Sequence, residues 1–360
     1  MGQVLLYYLL QYFCALHFFL VKRVNKYDMK TVLVTGGAGF IGSCLSYFLV
    51  ERLKYEVVVI DDLSGGFIEN LNPKVKFYEV SINDIQSIDK IFKSHKFDFV
   101  YHLAAYAAEG LSHFVRHFNY QNNLIGSINL INASIKYNVN SFIFTSSIAV
   151  YGSLQSPISE KDTPRPEDPY GIAKLAVEND LMSAREMFGL NFTIFRPHNV
   201  YGIPQNLGDK YRNVIGIFMN NMMKGESINI FGDGTQRRAF TYVDDIIPAL
   251  AEAPENDLAC NEIFNVGSDA DYSLNELAQI VKNAMHSDAT ICHVEARNEV
   301  KVAYCDHGKF KKAFGDKSDT PLPEGISIMA KWAQKHGSRE SPSFSNIEIF
   351  KNLPPLWSQE

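Results

Sequence analysis

The chain has 360 residues, 46% of them hydrophobic and 21% charged, and a net charge of −6. That length and balance fit one large α/β domain with a smaller lobe beside it. Lysine and arginine form no block, which argues against a nucleic-acid partner, because phosphate contacts need clustered cations.

The first element in chain order is an apolar run from Val4 to Val21, broken only by Gln11 and His17 and followed by Lys22 and Arg23. As a helix it spans about 27 Å, the short end for a bilayer. One reading is a signal anchor holding the rest on the cytoplasmic side. A cleaved signal peptide fits less well, since the charges follow the apolar run. The reading favoured most is a non-native start, with Met29 opening a self-sufficient cytoplasmic chain. The five cysteines, Cys14, Cys44, Cys260, Cys292 and Cys305, contain no CxxC pair and read as buried, reduced thiols rather than metal ligands.

From residue 29 the pattern becomes regular. Thr31–Thr35 reads as a strand, Ile41–Lys54 as a helix and Glu56–Ile60 as a second strand ending in Asp61 and Asp62. Val75–Val80 and Phe97–Leu103 read as further strands, with an amphipathic helix over 83–94 between them. A helix over 122–138 leads to a strand at Ser141–Ser146. A helix over 174–188 then leads to a strand at Asn191–Arg196. Strands apolar on both faces, alternating with helices, predict a doubly wound parallel sheet covered on each side. The expected divisions are an N-terminal segment 1–28, a dinucleotide-binding domain 29–196, a smaller mixed lobe 197–335 and a tail 336–360. Segments near 238–251 and 262–266 are expected to return to the large domain.

Gly36, Gly39 and Gly42 lie between the first strand and its helix. In that context the first glycine permits the turn, the second lets backbone approach a pyrophosphate and the third lets the helix pack close. The helix N-terminus then offers free N–H groups to the anion. Asp61 closes the second strand 19 residues after Gly42, placed to accept hydrogen bonds from an adenosine ribose. Its charge repels a 2′-phosphate and so favours NAD over NADP; Asp62 could fill the same role.

Tyr170 and Lys174 are four apart and share a helical face. A nearby ammonium, together with the nicotinium charge of bound cofactor, is expected to lower the tyrosine pKa, so that the phenol can take a proton from a sugar hydroxyl while hydride leaves the same carbon. Ser147 ends the fifth strand, at the sheet edge where ligands bind, within reach of the oxygen being oxidised.

The runs TGGAGFIG (35–42), HLAA (102–105), NN (122–123), SSIAVYG (146–152), DPYGIAK (168–174), RPHNVYG (196–202) and FGDGTQRRAFTYVDD (231–245) occur in this order. Over 29–335 the chain therefore resembles the extended short-chain dehydrogenases/reductases, and most closely the UDP-glucose 4-epimerase group. The resemblance implies a Rossmann domain and NAD bordered by Phe40, Ile41, Asp62, Ser81, Ile82, Leu103, Ala104, Ala105, Asn122 and Pro197. It implies a UDP-sugar held by Asn199, Asn213, Val214, Ile230, Phe231, Arg238 and Glu299, and a homodimer. In that group hydride leaves C4, the ketose turns in the pocket and hydride returns to its other face. No carboxylate follows Ser147 in Ile148-Ala149-Val150, which disfavours the related 4,6-dehydratases. A nucleotide-sugar ketoreductase and a membrane-associated dehydrogenase of the same fold compete with the epimerase reading; net production or consumption of NADH would mark either. Ser81 stands where the group usually has aspartate, and Ala107 where a lysine is common. Ala239 interrupts the usual Arg-Asp-aromatic pattern, and Ala303 is small enough to leave room for an N-acetyl group.

Overall fold

Val32 and Val34 point to one side of their strand and Leu33 to the other, and none is exposed to solvent. Such a strand must be covered on both faces, which is the condition for a parallel sheet between helical layers. The computed structural model describes residues 29–296, 301–316, 319–340, 344 and 346–358. Within them β1 (Thr31–Thr35), β2 (Glu56–Asp61), β3 (Lys76–Glu79), β4 (Phe99–His102), β5 (Ser141–Thr145) and β6 (Asn191–Pro197) form a parallel sheet. The short strands β7 (Val200–Tyr201), β8 (Ile228–Phe231), β9 (Arg237–Ala239) and β10 (Thr241–Tyr242) follow outside it. The chain then returns as β11 (Glu262–Val266), parallel to β6, to complete the order β11-β6-β5-β4-β1-β2-β3. The order reverses between β1 and β4, and the crevice of a doubly wound sheet opens at that switch point.

Helices Phe40–Phe48 and Val243–Glu252 cover one face, around Val34, Leu45 and Ile246. Helices Ile85–Ser94, Gly126–Lys136 and Pro169–Phe188 cover the other, around Leu33, Leu130 and Val177. The smaller lobe has its own core, where helices Val214–Met223, Leu274–Met285 and Leu322–His336 meet around Phe218, Leu277 and Met329.

Several local expectations shift. The first helix ends its regular part at Phe48, widens into a π turn over Leu49–Leu53 and stops at Lys54, whose φ is 62°. The helix expected from 83 begins at Ile85, because the Asp84 carboxylate caps it by accepting from Ser87 N at 3.1 Å. One short helix, Glu109–Ser112, occupies a stretch with no expected element; at one turn it is too short to show a period. The helix expected from 122 starts earlier, at Arg116, and runs through a π turn over Gln121–Ile125 into Gly126–Lys136. The thiols are less uniform than expected. Cys305 is buried, Cys44 and Cys292 are half-buried and Cys260 is exposed, all of them free. Residues 1–28, Cys14 among them, lie outside the described residues. Among the described residues no helix is long and apolar enough to cross a membrane.

Candidate active site

A cavity of about 1160 Å³ opens at the switch point and runs between the two lobes. It exceeds the 300–1,000 Å³ or so of a typical single-ligand site. The glycine loop forms one end. Gly36 has φ +70°, and a Cβ there would stand 2.7 Å from Ala104 N, so β1 and β4 deliver their loops into contact only if residue 36 is glycine. A Cβ on Gly42 would lie 2.2 Å from the Gly36 carbonyl oxygen, which is the close helix–loop packing anticipated from the spacing. Gly39, Phe40 and Ile41 line the cavity, as do Leu103, Ala104 and Ala105 after β4.

Asp61 ends β2 at the cavity wall and is mostly buried. Its Oδ2 accepts from Ala38 N at 3.0 Å and its Oδ1 from Leu63 N at 2.8 Å. Burial raises its pKa, while those two backbone donors pull it down. Asp62, Ile82, Asn122 and Pro197 also line the cavity. Asn122 is held in place, its Nδ2 donating to the Phe118 carbonyl and its Oδ1 accepting from Asn83.

At the centre, Asp168 caps the helix Pro169–Phe188 by accepting from Gly171 N at 2.9 Å. Gly171 lets this helix press against the turn Ile148–Tyr151, since a Cβ there would lie 2.5 Å from the Ala149 carbonyl oxygen. That contact brings Tyr170 beside Ser147, whose hydroxyl lies near enough to favour the phenolate. Ser147 Oγ also accepts from Ala149 N at 3.1 Å. Lys174 Nζ donates to the Thr145 carbonyl at 2.8 Å and lies 5.7 Å from the Tyr170 ring centre. All three side chains are buried and line the cavity.

The electrostatics correct one expectation. Tyr170 is pushed up from its ordinary pKa, first by burial and next by the charge of Glu109, while Ser147 and Arg212 act in the opposite direction. Burial drives Lys174 down to about 7, with Glu178 opposing it. The dry wall thus penalises both ions. Beneath this layer lies a buried ion pair. Arg196 Nη2 donates to Glu178 Oε2 at 2.5 Å, and Ser146 Oγ donates to Glu178 Oε1 at 2.5 Å. Arg196 Nη1 donates to Tyr151 Oη at 2.6 Å, which donates to Asn265 Oδ1 at 2.8 Å. The network ties β5, β6, β11 and the catalytic helix into one platform.

At the other end Asn199, Asn213, Val214, Phe231, Arg238 and Ala303 line the cavity. Asn199 and Asn213 adopt φ 42° and 67°, left-handed values that asparagine tolerates. Two expected residues do not line the cavity. Ile230 points into the lobe core, because burial alternates along β8 and its neighbour Phe231 takes the cavity side. Ser81 is absent from the wall: Val80 and Ile82 face inward, and the serine Oγ instead accepts from Asn83 N at 3.3 Å. Glu299 lies outside the described residues.

Other lining residues carried no signal in the sequence. Arg212 pairs with Asp209 and stacks over Tyr106, 4.7 Å from the ring centre. His198 meets His307, Nε2 to Nε2 at 2.8 Å, and His307 Nδ1 meets Asp269 at 2.7 Å. Glu109, His113 and residues 352–355 and 357 also line the cavity. None belongs to a periodic element that would have marked it, although His198 falls within the RPHNVYG run.

A model of the NAD dependent epimerase/dehydratase family matches residues 32–267. The UDP-glucose 4-epimerase of Thermotoga maritima, solved with UDP-glucose, is 37% identical, with a TM-score of 0.81 over 85% of this chain and 99% of its own. The UDP-glucose 4-epimerase of Halalkalibacterium halodurans is 33% identical over 70% of this chain and 79% of its own length. The dTDP-D-glucose 4,6-dehydratase of Mus musculus is 32% identical over 91% of this chain and 95% of its own length.

Proposed function

The chain belongs to the NAD dependent epimerase/dehydratase family, and from that premise we propose that it is a UDP-sugar 4-epimerase of the UDP-glucose/UDP-galactose type. The observation that carries the reading is the convergence of Ser147, Tyr170 and Lys174 on one cavity wall, with no carboxylate at 148–150. The cofactor is NAD. The residues fit it: the loop at Gly36, Gly39 and Gly42 leaves a cradle that side chains would fill, and Asp61 stands at the ribose position. NAD bound there supplies a reversible hydride acceptor for C4 of the sugar.

The chain's own residues handle the proton and the pose. Tyr170 Oη takes the proton of the 4-hydroxyl and later returns it to the keto oxygen. Ser147 Oγ–H holds that oxygen between the two transfers. Lys174, fixed on the Thr145 carbonyl, holds the helix face and adds positive charge as the phenolate forms. Arg238 and Asn199 hold the diphosphate, the guanidinium fork matching its oxygens. Ala303 leaves space beside the sugar, which extends the substrate range to UDP-N-acetylglucosamine.

A second reading, sugar 4,6-dehydration, has one observation in its favour: Glu109 lines the cavity near enough for its charge to act on Tyr170. Incubation with a panel of UDP-sugars, following product, mass and cofactor absorbance, separates the two. Epimerisation yields an isomer of equal mass with no net NADH. Loss of water from the product would assign the dehydratase reading instead.

A further inference from the structure

After the helix Leu322–His336 the chain crosses between the lobes. Arg339 exchanges two backbone hydrogen bonds with the Asn220 side chain of the smaller lobe, and its guanidinium lies 4.3 Å from the Phe67 ring centre beside the cofactor loop. Phe344 stacks edge-on with Phe118 at 4.9 Å and tilts against Tyr106 at 5.4 Å. The Glu348 carboxylate accepts from His117 N at 2.8 Å and Phe118 N at 2.9 Å, capping the helix Arg116–Tyr120. The Phe114 carbonyl accepts from Glu348 N and Ile349 N. Trp357 then packs between Phe114 of the large domain and Tyr211 of the smaller lobe, with ring centres 6.1 and 5.6 Å away. It is only 8% exposed, yet it lines the cavity with Asn352, Leu353, Pro354 and Pro355.

The position of this wall identifies what it faces. A Cβ on Gly110 would stand 3.0 Å from the Trp357 ring, and the short helices on either side of Phe114 reach the start of the catalytic helix: Ser112 Oγ donates to Asp168 Oδ1 at 3.5 Å and Asn119 Nδ2 to the Pro169 carbonyl at 2.8 Å. Trp357 thus stands on the side of the cavity where Tyr170 enters it. Indole and proline surfaces suit the apolar C–H faces of a pyranose ring, and the indole N–H suits its hydroxyls.

We propose that Trp357, backed by the turn 352–355, walls the hexose subsite and holds the sugar of the nucleotide-sugar against Tyr170; this rests on the UDP-sugar reading above. The wall binds the sugar and not the nucleotide, so its loss separates the two. In calorimetric titrations of the full NAD-loaded chain, Trp357→Ala is expected to weaken UDP-glucose on the order of tenfold. UDP affinity and NAD content stay close to wild type, the melting temperature falls with the loss of a buried ring, and Trp357→Phe recovers most of both losses. The chain has two tryptophans, and Trp332 is outside the cavity wall. In Trp332→Phe, UDP-glucose but not UDP is expected to change the emission of Trp357. Equal losses for UDP and UDP-glucose, a loss of NAD, or no loss at all overturns the proposal. Should Trp357→Ala not fold, a Trp357 emission indifferent to the sugar overturns it alone. Wild-type protein that binds UDP-glucose more tightly than UDP but converts no UDP-sugar would refute the epimerase reading and leave the wall standing.

Discussion

The two ends of the cavity are built on different principles. The cofactor end is made by consecutive residues at the ends of adjacent parallel strands, and its contacts are mostly backbone: Gly36 against Ala104, Gly42 against Gly36, Asp61 on the Ala38 N–H. The end in the smaller lobe is made by side chains from distant stretches: Asn199, Arg212, Phe231, Arg238 and Ala303. Backbone geometry at a switch point admits little variation, whereas side chains on loops change without disturbing the sheet.

The sharpest way to break the comparison is at the shared centre. Tyr170→Phe is expected to lower kcat by about 10²–10⁴-fold, with nucleotide binding retained; near-normal turnover would remove Tyr170 from its role. Next is the platform under both ends. Glu178→Gln leaves Arg196 buried without its partner and is expected to cost about 3–5 kcal/mol in denaturant unfolding. A smaller effect tests the backbone end. Gly42→Ala must displace the Gly36 carbonyl, costing about 1–3 kcal/mol, and should lower NAD retention more than UDP affinity. Equal losses of the two ligands would erase the distinction between the ends.

A pH dependence tests the centre in a different way. Lys174 titrates near 7 when folded and at its ordinary 10.5 when unfolded. Between those values the unfolded chain binds the extra proton, so this group makes stability rise with pH, by at most about 1.4 kcal/mol per unit. Below pH 7 both states are protonated and the contribution is flat. Melting temperatures of cofactor-free Lys174→Met, compared with wild type from pH 7 to 9.5, should lack that rise. Identical slopes would show that the buried ammonium is not destabilised.

Much of the cofactor end was legible in the residues. The glycine spacing, the alternation of apolar strands with helices and the acidic end of the second strand are local patterns set by backbone sterics and a fixed period. Ser147, Tyr170 and Lys174 were legible for the same reason, each tied to the end of a regular element. Ser81 and Ile230 were misplaced because a one-residue change of phase along a strand or loop turns a side chain from cavity to core.

The sequence by itself determined the doubly wound sheet, the cofactor crevice and the chemical types at its centre, since each follows from short-range spacing. Only the tertiary structure decided that burial, rather than the lysine, governs the resting phenol. It alone brought Arg212 over Tyr106, and it set Trp357 between Phe114 and Tyr211 from a stretch of chain with no periodic signal. These depend on contacts between residues far apart in the chain, on desolvation and on shape, which no local pattern encodes.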